Sequence, residues 1–161
     1  HAFGGRRSQK NESLYLEGGH AYIYFIYGMY YCLNVVTKER DCPEAVLIRA
    51  IEPTEGLEVM AELRERSSKI KRPQDLTNGP GKLCIALDLD RRQDGLPLDG
   101  SELFIEETGV TFSDRKIVKA PRIGVDYAGE AAHWPLRFFI KDNPYVSKLW
   151  SPSVKRRAAE I

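Results

Sequence analysis

Apolar and polar positions are distributed unevenly along the chain. Residues 1–19 mix glycine, charge and short polar groups (Gly4, Gly5, Arg6, Arg7, Ser8, Gln9, Lys10, Asn11) without a period, which predicts a loop. From His20 to Tyr27 the chain becomes densely aromatic and β-branched, Gly28 interrupts, and a second such run extends from Met29 to Val36. Two such runs broken by a glycine predict a β-hairpin. Alternation in its first arm puts Tyr22, Tyr24 and Ile26 on one face and Ile23, Phe25 and Tyr27 on the other, with Tyr27 close to the tip.

Ala45 to Ile51 is a short apolar run interrupted by Arg49, which predicts a third strand carrying a buried or half-buried cation. Pro53 and Thr54 then open a helix in which Leu57, Met60 and Leu63 recur every three residues, a narrow stripe facing the core, with an end near Ser67. Asn78 and Pro80 start a second, short helix that turns Leu83, Ala86 and Leu87 inward. Short extended runs follow at Leu103 to Glu106, Lys116 to Lys119, Arg122 to Val125 and Leu136 to Ile140. The expected class is α+β: a single domain, residues 1–161, on a mainly antiparallel curved β-sheet with a protruding β-hairpin and flanking helices.

Composition adds limits. Every apolar run is broken well short of the roughly 18 residues that a membrane span needs, so no membrane association is expected. The 24 basic and 23 acidic side chains nearly cancel, so overall charge does not advertise a nucleic-acid partner. Locally, Arg64, Arg66, Lys69, Lys71 and Arg72 form one basic cluster and Lys155, Arg156 and Arg157 another, readable as solvated surface or as a phosphate-contacting face. Cys32, Cys42 and Cys84 are odd in number and lack C-x-x-C spacing, and His1, His20 and His133 are scattered. Neither a disulfide framework nor a metal site nor an organic cofactor is therefore expected. Asn78-Gly79-Pro80-Gly81-Lys82-Leu83 lacks the spacing of a nucleotide phosphate loop. Gly79, Gly81 and Lys82, at the start of a short helix, remain candidates for holding a single phosphate, beside the plainer reading of Lys82 as a surface lysine.

Five separated blocks carry a resemblance. His1-Ala2-Phe3-Gly4-Gly5-Arg6 followed by Tyr22 to Asn34, then Leu47 to Pro53, Asn78 to Cys84, Arg122 to Val125 and Pro135 to Phe139 resemble, in this order, the alkyladenine (3-methyladenine) DNA glycosylase family. The likeness runs from His1 to about Ser147. It implies a DNA base-excision repair enzyme that flips alkylated or deaminated purines (3-methyladenine, hypoxanthine, ethenoadenine) out of double-stranded DNA and hydrolyses the N-glycosidic bond without nicking the strand. On this resemblance Tyr27 is the DNA-intercalating wedge with Met29 and Tyr30 beside it, and His1 and Tyr24 are two aromatic walls of the base pocket. Asn34 is the residue that crowds the 2-amino group of guanine, and Arg49 supports the pocket. Taken alone, Tyr24 reads as core packing and Asn34 as a strand-ending asparagine.

The resemblance also implies a catalytic glutamate in a Glu-x-Glu-Ala-Tyr motif about ten residues before the position of His1, and a third aromatic wall there. That motif is not among the 161 residues, and Glu12 and Glu17 follow the pocket histidine instead of lying under the flipped base. No catalytic residue is therefore assigned. The chain begins with histidine, so an N-terminally truncated and inactive form of an active parent enzyme is expected. The alternatives are a natural lesion-binding protein that does not cut and a nucleic-acid-binding module acting on RNA. The expected setting is a monomer, not secreted, in the cytoplasm if bacterial and the nucleus if eukaryotic.

Overall fold

Ala21–Ile26 (β1) and Tyr30–Val36 (β2) form the expected antiparallel hairpin in the computed structural model, which describes residues 1–147. The register pairs Tyr22 with Asn34, Tyr24 with Cys32 and Ile26 with Tyr30, so these side chains alternate with the set Ala21–Val35, Ile23–Leu33 and Phe25–Tyr31. Tyr27 and Gly28 reverse the chain with positive φ at both residues (56° and 68°), closed by the Met29 N–H donating to the Ile26 carbonyl at 3.2 Å. Glycine enters this region without a steric penalty, whereas tyrosine there carries strain.

The sequence of the hairpin is apolar almost without interruption because its base is buried on both faces. On one side Ala21, Ile23 and Leu33 pack with Leu83, Cys84, Leu89 and Leu98. On the other, Tyr22 and Val36 pack with Leu14 and Tyr15. Ile23 and Leu83 are fully enclosed, a burial worth about 1.5–3 kcal/mol each. Toward the tip the cover ends, and Phe25, Tyr27, Met29 and Tyr30 are all exposed. The outer edge of β1 is held from the side: the Asp94 carboxylate accepts from the Ile23 N–H and from the Ser13 hydroxyl, both at 2.7 Å.

Ala45–Leu47 (β3) extends the sheet to the order β1-β2-β3. It is shorter than the expected Ala45 to Ile51; after one further bond, from the Ile48 N–H to the Leu33 carbonyl, the chain leaves the sheet, and half-buried Arg49 stands beyond it. Leu57–Glu65 (α1) starts three residues later than Thr54 because Gly56 adopts a left-handed conformation (φ 68°) that a helix cannot continue through. Its inward stripe also differs from expectation. Leu57 is exposed, and the buried residue is Arg64, 3% exposed, whose guanidinium donates to the Leu76 carbonyl and to the Ser67 and Ser68 hydroxyls. Arg64 is thus an internal tie and not part of a surface basic cluster. Burial pushes its guanidinium below the usual value.

Pro80–Ala86 (α2) occupies the predicted place, with Pro80 at its first turn and Leu83, Cys84 and Ala86 buried. The chain forms two compact units, divided between Thr108 and Gly109. In the second, Ile117–Ala120 (β4) pairs antiparallel with Arg137–Ile140 (β5), so the strands form two sheets. Two predicted strands are absent. Leu103 to Glu106 makes only an isolated bridge, Phe104 with Asp99, and Arg122 to Val125 is broken by Gly124 at φ 77°. The mixture of helices and antiparallel sheets is the α+β class read from the sequence. The basic run Lys155 to Arg157 lies outside the described residues.

Candidate functional site

The segment predicted as a loop over residues 1–19 contains two short 3-10 turns, Phe3–Gly5 and Glu12–Tyr15, and its first eleven residues fold back on the hairpin. The His1 ring stands edge-on to Tyr24, with centroids 4.2 Å apart and planes at 81°, and its Nδ1 is 2.5 Å from the Tyr22 hydroxyl. Tyr22 and Tyr24, two apart on one strand face, have centroids 5.5 Å apart. His1, Tyr22 and Tyr24 therefore make one aromatic cluster. Because His1 and Tyr24 touch, they form a continuous wall and leave no slot between them for a flat base. Tyr22 is the member that sequence reasoning passed over. Its place on the Tyr24 face was legible from alternation, but its partner, 21 residues away, was not.

Asn34, opposite Tyr22 in the register and 7% exposed, spends both amide hydrogens on carbonyls, Tyr22 at 3.0 Å and Cys32 at 3.2 Å. This fixes the orientation of the carboxamide and leaves its oxygen as the end that can face a ligand. Burial pushes the Tyr22 phenol up to about 12, with the Asp94 charge adding to the effect. Cys32, across from Tyr24, has its thiol raised by burial, while a hydrogen bond from Tyr24 and the charge of Arg49 work in the opposite direction. Arg49 is thus electrostatically part of the surroundings of the Tyr24–Cys32 pair.

Behind the cluster the loop is fastened by groups without a local sequence signal. Arg7 forms ion pairs with Glu12 and Asp41 and lies over the Tyr15 ring at 4.6 Å, and Tyr15 donates through its hydroxyl to the Arg6 carbonyl. Asn11, buried in the loop, donates to the carbonyls of His1 and Arg6. Glu12, held below the usual carboxylate range by Arg7, is committed to that ion pair, and Glu17 accepts from the Arg40 N–H at 3.3 Å.

The tip residues stand apart from the cluster. Tyr27 is 82% exposed and Met29 62%. Tyr30 differs, because its ring lies on Gly81 of α2: a Cβ there would come within 2.9 Å of its Cγ and Cδ1. Gly81 is small for Tyr30. Gly79 precedes α2 in an extended conformation, and the Lys82 ammonium donates to the Asn78 Oδ1 at 2.8 Å over the start of that helix. Among the described residues no three His, Cys, Asp or Glu side chains are grouped to hold a metal, and no helix is long and apolar enough to cross a membrane.

An aromatic wall on one face of a hairpin, with an exposed apolar tip at its end, is the candidate site of this α+β protein. Comparison with known families says to which class it belongs. The family model described as "Methylpurine-DNA glycosylase (MPG)" matches residues 1–144. Relatives named "Putative 3-methyladenine DNA glycosylase" include one from Clostridium acetobutylicum, 52% identical over 153 residues, covering 92% of this chain and 74% of the relative. Others are from Bdellovibrio bacteriovorus, 48% identical with 92% and 73% covered, and Bacillus cytotoxicus, 47% identical with 92% and 75% covered. The chain belongs to the methylpurine-DNA glycosylase family.

Proposed function

We propose that this DNA glycosylase excises alkylated and deaminated purines, 3-methyladenine, hypoxanthine and ethenoadenine among them, by extruding the base from the duplex and hydrolysing its bond to the sugar. The observation that carries the reading is the geometry of β1. Tyr24, in edge contact with His1, lies three residues before the exposed Tyr27.

In this reading Tyr27 enters the minor groove and fills the gap, offsetting an unstacking cost of about a few kcal/mol, with Met29 beside it. Tyr30, seated on Gly81, braces the wedge from behind. The extruded purine stacks on the His1–Tyr24 wall. Where alkylation leaves it positively charged, the electron-rich ring contributes roughly 2 kcal/mol once desolvated. By resemblance to the family, the backbone nitrogen at the position of His1 donates to the purine 6-position and so selects the acceptor of hypoxanthine over the amino group of adenine. The Asn34 carboxamide, locked by its two carbonyl partners, crowds the 2-amino group of guanine. Arg49 supports the Tyr24–Cys32 side of the wall. In the same reading Lys82 exchanges its bond to Asn78 for a DNA phosphate, with the backbone at Gly79 and Gly81 beside it.

In the reaction water adds to C1′ of the sugar as the C1′–N bond breaks, and the bonding pair leaves with the base. A carboxylate that accepts the proton of water stabilises the cationic sugar. Glu12 and Glu17 are engaged elsewhere and receive no part in this step. No lysine is assigned to attack the sugar, so the product is an abasic site in an unbroken strand.

The test is incubation of the protein with duplexes carrying one hypoxanthine, ethenoadenine or 3-methyladenine, with separation of released base and of strands before and after alkali. Free base with strands that break only after alkali is expected from a chain that also carries the family's upstream Glu-x-Glu-Ala-Tyr segment, and little or no release from these 161 residues alone. Specific binding without release would replace the reading with that of a non-cutting lesion binder, and indifference to the lesion would remove it.

A further inference from the structure

The loop that carries His1 has little packing of its own. Phe3 is 98% exposed, and Gly4 and Gly5 both have positive φ (66° and 74°) with open space where a side chain would stand. Between His1 and Arg6 only Ala2 reaches the hydrophobic cluster beneath. Such a segment does not hold an aromatic ring at a defined place through van der Waals contact. The ring of His1 is held by the Tyr22 hydroxyl, and its backbone is held by Asn11.

Asn11 is 4% exposed and uses the whole hydrogen-bonding capacity of a carboxamide. Its Nδ2 donates to the His1 carbonyl at 3.0 Å and to the Arg6 carbonyl at 2.9 Å, while its Oδ1 accepts from the Ser8 N–H at 2.7 Å and the Ser8 hydroxyl at 3.0 Å. One side chain thus ties down both ends of the stretch from His1 to Arg6. The Arg6 carbonyl takes a second donor from Tyr15, which roots the clamp in the cluster that also contains Tyr22.

We propose that Asn11 is a positioning residue: by fixing the backbone of His1 and Arg6 it sets the His1 ring against Tyr24 and thereby the discrimination between acceptor and amino groups at the purine 6-position. The discrimination rests on the reading of His1 and Tyr24 as the base wall; the clamp on the His1 ring does not. A ring free to swing would still stack on a purine, but the donor at His1 would no longer stand at one place. Asn11 therefore acts on selectivity more than on binding.

Asn11→Asp isolates the donors. The side chain keeps its size and the acceptor for Ser8, but it turns a carboxylate oxygen toward two carbonyls. Asn11→Ala removes both halves, and Arg7→Ala loosens the same loop from its surface side without touching His1. Two quantities are read: the NMR resonances of the His1 ring, shifted by the adjacent Tyr24 ring, and the preference for excising hypoxanthine over adenine in otherwise identical duplexes. The expected result is that Asn11→Asp and Asn11→Ala move the His1 resonances to the values of an exposed histidine and reduce the preference at least tenfold. Arg7→Ala should change neither by more than about twofold. If Asn11→Ala fails to fold, the isosteric Asn11→Asp carries the test. A wild-type His1 signal in Asn11→Asp, or a wild-type preference in it, overturns the proposal. Excision is read in a chain that also carries the family's upstream glutamate segment; if that chain excises neither base, the proposed function fails, and the His1 resonances alone decide whether Asn11 holds the ring.

Discussion

The Tyr22 hydroxyl and the Nδ1 of His1 stand 2.5 Å apart, joining a buried strand residue to the first residue of the chain. A phenol pushed up to about 12 stays protonated at neutral pH and so can donate to Nδ1, an arrangement that puts the ring proton on Nε2. The partner thus selects one tautomer and one ring plane for a side chain that is otherwise exposed. Tyr22→Phe retains the ring and its packing while removing the donor. Excision of hypoxanthine should fall about five- to twentyfold, with a loss of stability of about 1 kcal/mol, the usual net value of such a bond. Single-turnover excision and urea unfolding measure the two effects, and unchanged excision would show that the bond does not position His1.

The same phenol, with Cys84, makes the fold sensitive to alkali. Burial pushes the Cys84 thiol from an ordinary value of 9.0 to about 12 and Tyr22 from 10.0 to about 12. Both groups lose their proton earlier in the unfolded chain than in the folded one. Their contribution is therefore complete below pH 9 and drains away as pH rises through 9 to 12. At about 1.4 kcal/mol per pH unit, raising the pH past each group costs the fold on the order of a few kcal/mol by about pH 12, because the unfolded chain releases the proton first. Urea midpoints should decline from pH 9 upward, and Tyr22→Phe should flatten the part of the curve above pH 10. A flat wild-type profile between pH 9 and 11 would contradict both assignments.

Tyr27 sits at φ 56° with its side chain almost wholly in solvent. A left-handed tyrosine carries about 1–2 kcal/mol of backbone strain, of which glycine would recover part after its own entropic cost of about 0.5–1 kcal/mol. Tyr27→Gly should consequently raise stability by up to about 1 kcal/mol while lowering affinity for a lesion duplex at least tenfold. Thermal melting and fluorescence of 2-aminopurine beside the lesion report the two changes. Opposite movement is the signature of a residue retained for function at the expense of the fold, and unaltered lesion affinity would remove the wedge.

Asn34 couples specificity to sheet structure, because the bonds that orient its amide run to the backbone of its own hairpin. Asn34→Ser leaves a smaller hydroxyl that cannot reach both carbonyls. Stability should drop by about 1–2 kcal/mol, and slow release of normal guanine should appear. Chromatography of bases freed from undamaged duplex is the measurement, and no guanine above the wild-type background counts against the gate.

How far these relationships can be read in advance depends on how local their causes are. The hairpin and α2 are legible because Gly28 and Pro80 mark their bends within a few residues of the apolar runs they end or begin. The late start of α1 is a matter of Gly56, whose left-handed φ is a choice and not a necessity of its sequence. Arg64 reads as surface by charge, and the carbonyl of Leu76, 12 residues on, together with the Ser67 and Ser68 hydroxyls makes its burial tolerable. Tyr24 and Asn34 are legible through family resemblance, whereas Asn11, Tyr22 and Asp94 carry no motif. Their work is done on partners at His1 and, for Asp94, 71 and 81 residues distant. Periodicity records which way a side chain faces and is silent about whom it meets.

Gly81 shows how one position can invite two explanations that experiment separates. A glycine at a helix start suggests close approach of a phosphate, yet a Cβ there would collide with three atoms of Tyr30 at 2.9–3.0 Å. Gly81→Ala should therefore push Tyr30 from its seat, costing about 1–3 kcal/mol as overpacking does, and loosening the base of the wedge. Lesion affinity should fall several-fold through the displaced hairpin. If packing is the cause, Tyr30→Ala made in the same chain makes room for the new methyl group, and the double variant should be no less stable than Tyr30→Ala alone. If phosphate approach is the cause, Tyr30→Ala offers no relief in DNA binding, and the salt dependence of affinity changes in Gly81→Ala whichever residue stands at position 30. A double-mutant cycle in unfolding free energy, with affinities at two salt concentrations, distinguishes the two. Positive coupling of about 1 kcal/mol or more between positions 30 and 81 assigns the glycine to the tyrosine, and additive effects return it to the phosphate.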